Sequence, residues 1–552
     1  MKKIKFLLPA LAALMLFSCD NYLDVNQNEN SVPYTALYPK DLLSAAQSNT
    51  FRTQAIDMNE FGNVLMNSWA GNVAQVSGGF SKEFQLNIDS SLRNGIWTGL
   101  YRNVFNFQNI INYPNPNGKY DYYIAVAKIC KAHYMQYLVD LYGDVPYTEA
   151  FLGTANVTPK YSDDQFIYRK LIAELESARD LLNNADPAIA DDITAYDVML
   201  GGDITKWAQF ANTIELRMLL RMSNNTGSVA AYRDSKLATL PQDFVSGYDV
   251  KINPGYGNGS DSQQSPFYSA NGYDSLGQTA DQNYAFICPS GHAYKSLYAY
   301  SSYPTGASTE IIAGSGVNYP NVADPRRTRI FRPGAGQGTV IRAVTQGSTV
   351  VDVFSTSTTL GLPGRIGIGI YNPYIQVPTT SSTSFYLDYA GNDGYVMTLQ
   401  ESEFLQAEAA LRYPTLFTGD QGHFNAGIEA SFAFLNVASS ATSYENSINT
   451  KVKFGWLGSF NDKLHAIMYQ KWIGLMGIDG MESFIDYNRT GYPLTPLATS
   501  ALQVRKPRRL MYPVSEYVAN SANVPNITQD QIFAATDPSH PFWMLGDPAL
   551  GN

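Results

Sequence analysis

Glu401 and Glu408, in the stretch ESEFLQAEAALR, stand two helical turns apart, a spacing that lets both carboxylates face one way. Two carboxyl groups on one face are what a glycosidase needs, one protonating the leaving oxygen and the other acting as base or nucleophile. The same positions also have a structural explanation. Thr398 with Glu401 three residues on is a capping-box signature, and Glu408 would then be a solvated or paired acid on a supporting helix. The five histidines (His133, His292, His423, His465 and His540) are scattered without metal-ligand spacing, and neither a glycine-rich phosphate loop nor a nucleophile elbow is present. The Gly-x-Gly of GYGNG reads as a turn. The chain is therefore expected not to be an enzyme and to need no cofactor or metal.

A receptor asks for different chemistry. Aromatic faces stack on the apolar faces of pyranose rings, and side-chain amides, which donate and accept, pair with hydroxyls or peptide groups. NVLMNSWAGNVAQVSGGF places Asn67, Trp69, Asn72 and Gln75 close together, although Trp69 reads equally well as a core residue. Residues 252–322 hold nine tyrosines but only five charged side chains, and Tyr273, Tyr284, Tyr294 and Tyr300 fall there in loops where burial is less expected. Composition points the same way: 38 Tyr, 27 Phe and 6 Trp make the chain 13% aromatic against 16% charged. The net charge of −10 argues against nucleic acid or anionic lipid as the main partner. Scarcity of charge in the tyrosine-rich stretch favours a neutral ligand.

These residues need elements to hold them. Tyr123, Ala127, Cys130, Tyr134, Tyr137 and Leu141 recur every three or four positions, the stripe of an amphipathic helix, with Cys130 a buried thiol. Ser162 and Gln165 read as a capping box before Ile167, Leu171, Leu175, Ala178 and Leu182. Asp203 can cap a helix whose Trp207, Ala211, Ile214 and Met218 share a face, and three more helical stretches follow after residue 397. Paired helices of this kind stack as repeats because one hairpin cannot cover its own apolar face. Between the flanks, TVIRAV and TVVDVF separated by TQGS suggest a β-hairpin in an irregular insertion, the usual place for function on a helical frame.

The amino terminus adds a separate signal. Lys2, Lys3 and Lys5 precede an apolar run from Phe6 to Phe17, too short to cross a bilayer core of about 30 Å. Leu16, Phe17 and Ser18 before Cys19 fit a bacterial lipobox. Cys19 would then carry the lipid, whose acyl chains contribute roughly 0.8 kcal/mol per buried CH₂.

The leash DVNQNENS, then DLYGDVPYTEA, GGDITKWAQFANTIELRMLLR, ADPRRTRIF, ESEFLQAEAALR, QKWIGLMGIDGMESFIDYNRTGYP and PRRLMYPVSEYVANSANV, in this order, resemble the SusD/RagB family of nutrient-binding surface lipoproteins of Bacteroidetes, in its SusD-like branch. Glu29 stands where the family often has proline, and Asn488 where arginine is common. The resemblance implies a mostly α fold of tetratricopeptide-like helix pairs with long irregular loops and minor β-hairpins. It divides the chain into a signal peptide at 1–18, a lipidated leash at 19–32 and one domain at 33–552, with its helical scaffold at about 33–224 and 398–500 and the insertion at about 225–397. It also implies an outer-membrane anchor facing the exterior and a role as lid of a SusC-like, TonB-dependent transporter that imports oligosaccharides, or alternatively oligopeptides.

Overall fold

The helical periodicity of the two flanks becomes a series of long helices, each packed on the next. In this computed structural model residues 37–72, 79–277, 281–299, 319–334, 341–348, 363–371 and 389–547 are described. Cys19, the leash, Gln75, Tyr300 and the TVVDVF strand lie outside them.

Helix α1 (Pro39–Thr53) passes through a π-helical turn (Gln54–Met58) into α2 (Asn59–Leu65). Then come α3 (Asn94–Ile111), α4 (Asp121–Tyr142), α5 (Asp164–Asn184) and α6 (Ile204–Arg221). A short α7 (Gln282–Phe286) sits in the middle region, and α8 (Leu399–Arg412), α9 (Asp420–Phe434), α10 (Phe460–Leu475) and α11 (Gly480–Thr490) complete the frame. The two flanks meet where α6 packs on α8 and α2 packs on α11. At that second contact a Cβ on Gly62 would lie 2.1 Å from the carbonyl carbon of Gly480, so the two backbones approach as closely as they do because neither residue has a side chain.

Caps follow local chemistry with one correction. Asp203 accepts from the Lys206 N–H at 3.0 Å, and Thr398 from the Glu401 N–H at 3.4 Å. Helix α5, however, is capped by Asp163, which accepts from the Phe166 N–H at 2.8 Å. Ser162 is unavailable for that task because it belongs to a short strand.

The strands are brief. In chain order β1 (Trp69–Gly71) pairs with β5 (Ile287–Pro289), β2 (Val145–Pro146) with β3 (Tyr161–Ser162), β4 (Val250–Ile252) with β8 (Gly394–Met397), and β6 (Phe331–Arg332) with β7 (Arg365–Ile366), all antiparallel. The expected TVIRAV–TVVDVF hairpin lies partly outside the described residues; within them Val344 makes a lone parallel bridge to Ser290.

One hydrophobic cluster runs through the molecule from Leu42 to Met544. Helix α4 lies inside it. From Tyr123 to Tyr142 every residue but Lys128 is buried, so the expected one-sided stripe becomes a helix covered all round, by α3, α5 and α6. Its polar residues therefore need partners: Lys131 pairs with Glu174 at 2.7 Å and Asp140 with Arg221 at 3.3 Å. Cys130 and Cys288 are buried free thiols.

Candidate functional site

The two segments singled out as ligand-binding, about 200 residues apart in sequence, are joined by the β1–β5 ladder. Trp69 stands opposite Pro289, Ala70 opposite Cys288 and Gly71 opposite Ile287. Beyond the strands the pairing continues, with the Asn72 N–H donating to the Phe286 carbonyl at 2.7 Å and the Ser290 N–H to the Ser68 carbonyl at 3.2 Å. The Phe286 ring fills the space that side chains at Gly71 and Gly79 would take, since a Cβ there would lie 2.3 and 2.5 Å from it. This packing fixes α7 directly above β1.

Several expected contact residues are structural. Trp69 is 1% exposed and Tyr294 2%, the latter stacked on Tyr298 with ring centroids 4.1 Å apart. Neither presents a face to solvent: Trp69 lies on β1, packed on α2, and Tyr294 lies in the buried helical segment Gly291–Leu297 that follows β5. Asn67 and Asn72 are also buried, and their amides serve the backbone: Asn67 Nδ2 donates to the Pro496 carbonyl at 3.0 Å and Asn72 Nδ2 to that of Ala285 at 3.3 Å.

Tyr273 and Tyr284 behave differently. Both are half-buried, and their rings meet edge to face at 4.7 Å. The Arg332 guanidinium lies 5.2 Å from the Tyr284 ring centre and donates to its hydroxyl. A cation over an aromatic face stabilises and rigidifies that ring. Next to Tyr284, Asn283 donates to Glu60 at 2.7 Å, Glu60 pairs with Arg93 at 3.1 Å, and Arg93 with Glu83 at 2.9 Å. Burial pushes the Glu60 carboxyl above its ordinary range even though Arg93 opposes that shift. The platform is thus tied to α2 by a chain of polar contacts. Sequence reading missed Arg332 and Asn283. The cluster of arginines in ADPRRTRIFR, next to a charge-poor stretch, was the one available signal for Arg332.

The carboxylate pair on α8 has another task. Glu401 and Glu408 are buried, Glu401 against Arg217 at 3.3 Å and Glu408 against Arg489 at 2.7 Å. They belong to a larger network in which Glu482 meets Arg221 at 2.6 Å and Arg217 at 3.2 Å, and Asp486 meets Lys471 at 2.8 Å and Arg221 at 3.0 Å. Burial pushes Glu401 up to about 7, despite Lys471 and Arg217. For Glu482 burial acts in the same direction, but Arg217, Arg221 and Lys471 outweigh it and hold the carboxyl at about 2. A buried pair locked to guanidinium groups does not reach a glycosidic bond.

A third group of acids brings one oxygen each from Asp144, Asp163 and Asp164 within 4.8 Å of one another, close enough to share a cation. Backbone donors account for its assembly: the Asp164 N–H donates to Asp144 at 3.0 Å, and the Phe542 N–H to Asp164 at 2.7 Å.

Comparison with known proteins completes the picture. Residues 29–245 match a family model described as starch-binding and associating with the outer membrane, and residues 323–543 match one described as SusD and RagB outer membrane lipoprotein. No curated protein sequence matches the chain. Among solved structures, a chitin-binding SusD homologue from Flavobacterium johnsoniae is 21% identical with a TM-score of 0.67, covering 92% of this chain and 99% of its own. A SusD homologue from Parabacteroides distasonis is 20% identical with a TM-score of 0.69, covering 92% and 97%. One from Bacteroides uniformis is 20% identical with a TM-score of 0.62, covering 91% and 99%. At these identities the structures show a common fold, mostly α with few small strands. The two family models match either side of the tyrosine-rich middle and span most of the sequence, and the chain belongs to the SusD/RagB family of outer-membrane lipoproteins.

Proposed function

We propose that this protein is a cell-surface lipoprotein, anchored through Cys19, that captures oligosaccharides and acts as the lid of a SusC-like, TonB-dependent transporter. The observation that carries the glycan reading is the half-buried Tyr273–Tyr284 pair braced by Arg332, an aromatic surface of the kind on which pyranose rings stack. Family membership and the chitin-binding relative support it. Tethering through Cys19 keeps the body beside the pore, which raises effective ligand concentration without new contacts. The protein binds without turnover, since the carboxylate pair suited to glycosidase chemistry is consumed by Arg217 and Arg489. No helix among the described residues is long and apolar enough to cross a membrane. Calorimetry of the protein against soluble chito- and malto-oligosaccharides and against mixed oligopeptides tests this. Glycan binding without product release is expected; binding of peptides alone would replace the ligand class, and released sugar would restore the hydrolase.

A further inference from the structure

Where α4 ends and α5 begins lies a cavity of about 270 Å³ whose wall includes Asp144, Asp163, Asp164, Arg509, Ser539 and His540. The first amides of α5 gather the three acids. Asp144 accepts from the Asp164 N–H at 3.0 Å, Asp163 from the Phe166 N–H at 2.8 Å and Asp164 from the Gln165 N–H at 2.7 Å. None of the three forms a salt bridge among the described residues. Arg509, the one Lys or Arg on the wall among those residues, gives Nη1 to the Ser539 carbonyl instead and leaves Nη2 without a partner. Three carboxylates therefore face one guanidinium. Burial first, and then the neighbouring Asp144 and Asp163, push the Asp164 carboxyl up to about 7 against the amides of Phe542 and Gln165. A cation held between the three acids would remove that opposition.

A separate feature of the same wall points to a guest. His540 is 5% exposed, and its Nε2 lies 2.7 Å from the Gln531 carbonyl, so Nε2 carries the proton and Nδ1 presents a lone pair. Gln531 is not on the wall whereas His540 is, and Nδ1 meets no protein donor. Ser539 Oγ is also without a partner. A buried polar atom left unmet is costly, and a hydrated cation supplies both the positive charge and the water that this wall lacks. The scattered histidines speak against a transition metal, but calcium takes about six to eight oxygens, from carboxylates, carbonyls and water. Calcium–oxygen bonds of 2.3–2.6 Å put oxygens on opposite sides of the ion about 4.6–5.2 Å apart. The three acids bring one oxygen each within 4.8 Å of one another. Magnesium, with bonds of about 2.1 Å, would need them to close in.

We infer that this cavity binds one calcium ion, with Asp144, Asp163 and Asp164 each giving an oxygen and water completing the shell beside His540 Nδ1 and Ser539 Oγ. The ion would join the end of α4 and the start of α5 to the stretch around residues 538–542, whose Phe542 N–H already donates to Asp164 at 2.7 Å. The site shares no lining residue with the Tyr273–Tyr284 platform and does not depend on what that platform binds. Calorimetry of the chelator-washed protein against calcium chloride and magnesium chloride tests it. One calcium per chain should bind, with Kd of about 10⁻⁴–10⁻³ M or tighter, and magnesium more weakly. Asp144→Asn and Asp163→Asn should each weaken calcium binding about tenfold or more. Both should keep the calcium-free thermal midpoint, because Asn caps a helix as Asp does and retains a carbonyl oxygen for the amide it meets. Hydrogen exchange of the unaltered protein locates the site without a variant: calcium should slow exchange at the Asp164 and Phe542 amides. Absence of calcium binding, equal affinity for calcium in both variants, tighter binding of magnesium, or slowed exchange only in other parts of the chain overturns the inference.

Discussion

The helical flanks and the middle region solve burial with different emphasis. In the flanks Arg217, Arg221, Lys471 and Arg489 are closed off from water and matched by Asp140, Glu401, Glu408, Glu482 and Asp486, the acids and bases together coming from five helices. Among the described residues between 225 and 397 one such pair, Arg326 with Asp324 at 2.7 Å, stands beside aromatic contacts such as Tyr273 with Tyr284 at 4.7 Å and Phe267 with Tyr371 at 5.5 Å, and strands are two to four residues long. A charge network at low dielectric tolerates one arrangement, because each unmatched ion costs several kcal/mol. An aromatic pair contributes about 0.5–1.5 kcal/mol beyond its burial and can be exchanged for another. The flanks therefore hold one shape, and the middle region is free to carry side chains chosen for a ligand.

The largest effect should come from breaking the network at its centre. Glu482→Ala takes from Arg217 and Arg221 the carboxylate they share, leaving excess buried positive charge, and should cost about 3–5 kcal/mol in denaturant unfolding; a loss near the 0.5 kcal/mol of an ordinary surface change would erase the contrast between the regions. Trp69→Ala tests whether β1 belongs with the frame or with the site. It should lose about 3 kcal/mol through the cavity it leaves, and unchanged stability with weakened ligand binding would return Trp69 to the ligand face. Tyr284→Ala should do the reverse, weakening oligosaccharide binding about tenfold, about 1.4 kcal/mol, with the thermal midpoint nearly unchanged. A fallen midpoint at unaltered affinity would make the platform a structural cluster like those around it.

The smallest effect sharpens the electrostatic side. Glu401 in the folded protein titrates near 7 and Asp479, raised by burial and by Glu482, near 6, both above their unfolded values. Between the unfolded and folded pKa the native state holds protons that the unfolded state has released, so the contribution of these two groups to stability falls as pH rises from about 4.5 to 7, against the opposite contribution of buried His465 and His540, both lowered to about 4. Glu401→Gln, which stays neutral throughout, should flatten part of that slope in thermal melts recorded across the window. An unchanged slope would take Glu401 out of the pH dependence and leave it to other buried groups such as Asp479 and Asp164, whose carboxyl burial also raises to about 7.

Much of this was legible without coordinates. The three-to-four spacing of Ile167, Leu171, Leu175, Ala178 and Leu182 and the capping chemistry of Asp203 and Thr398 are local properties, and they determined where helices form and which residues face inward. The 67–75 and 273–300 segments were expected to share one ligand face; the ladder that joins them leaves Asn67, Trp69, Asn72 and Tyr294 buried. Tertiary structure alone decided which of them remain available. Trp69 and Tyr294 went to the core and Tyr273 and Tyr284 to a half-open face because of what packs above each strand, which periodicity within one segment does not record. The same holds for the partners of charge: Arg221 finds Glu482, Asn67 finds Pro496, and Arg332 reaches Tyr284 across a ladder formed elsewhere. Sequence spacing governs contacts within a helix or strand, where neighbours are a few residues apart. Charge matching and aromatic exposure depend on neighbours separated by tens to hundreds of residues, and those are set only when the helices and ladders have packed.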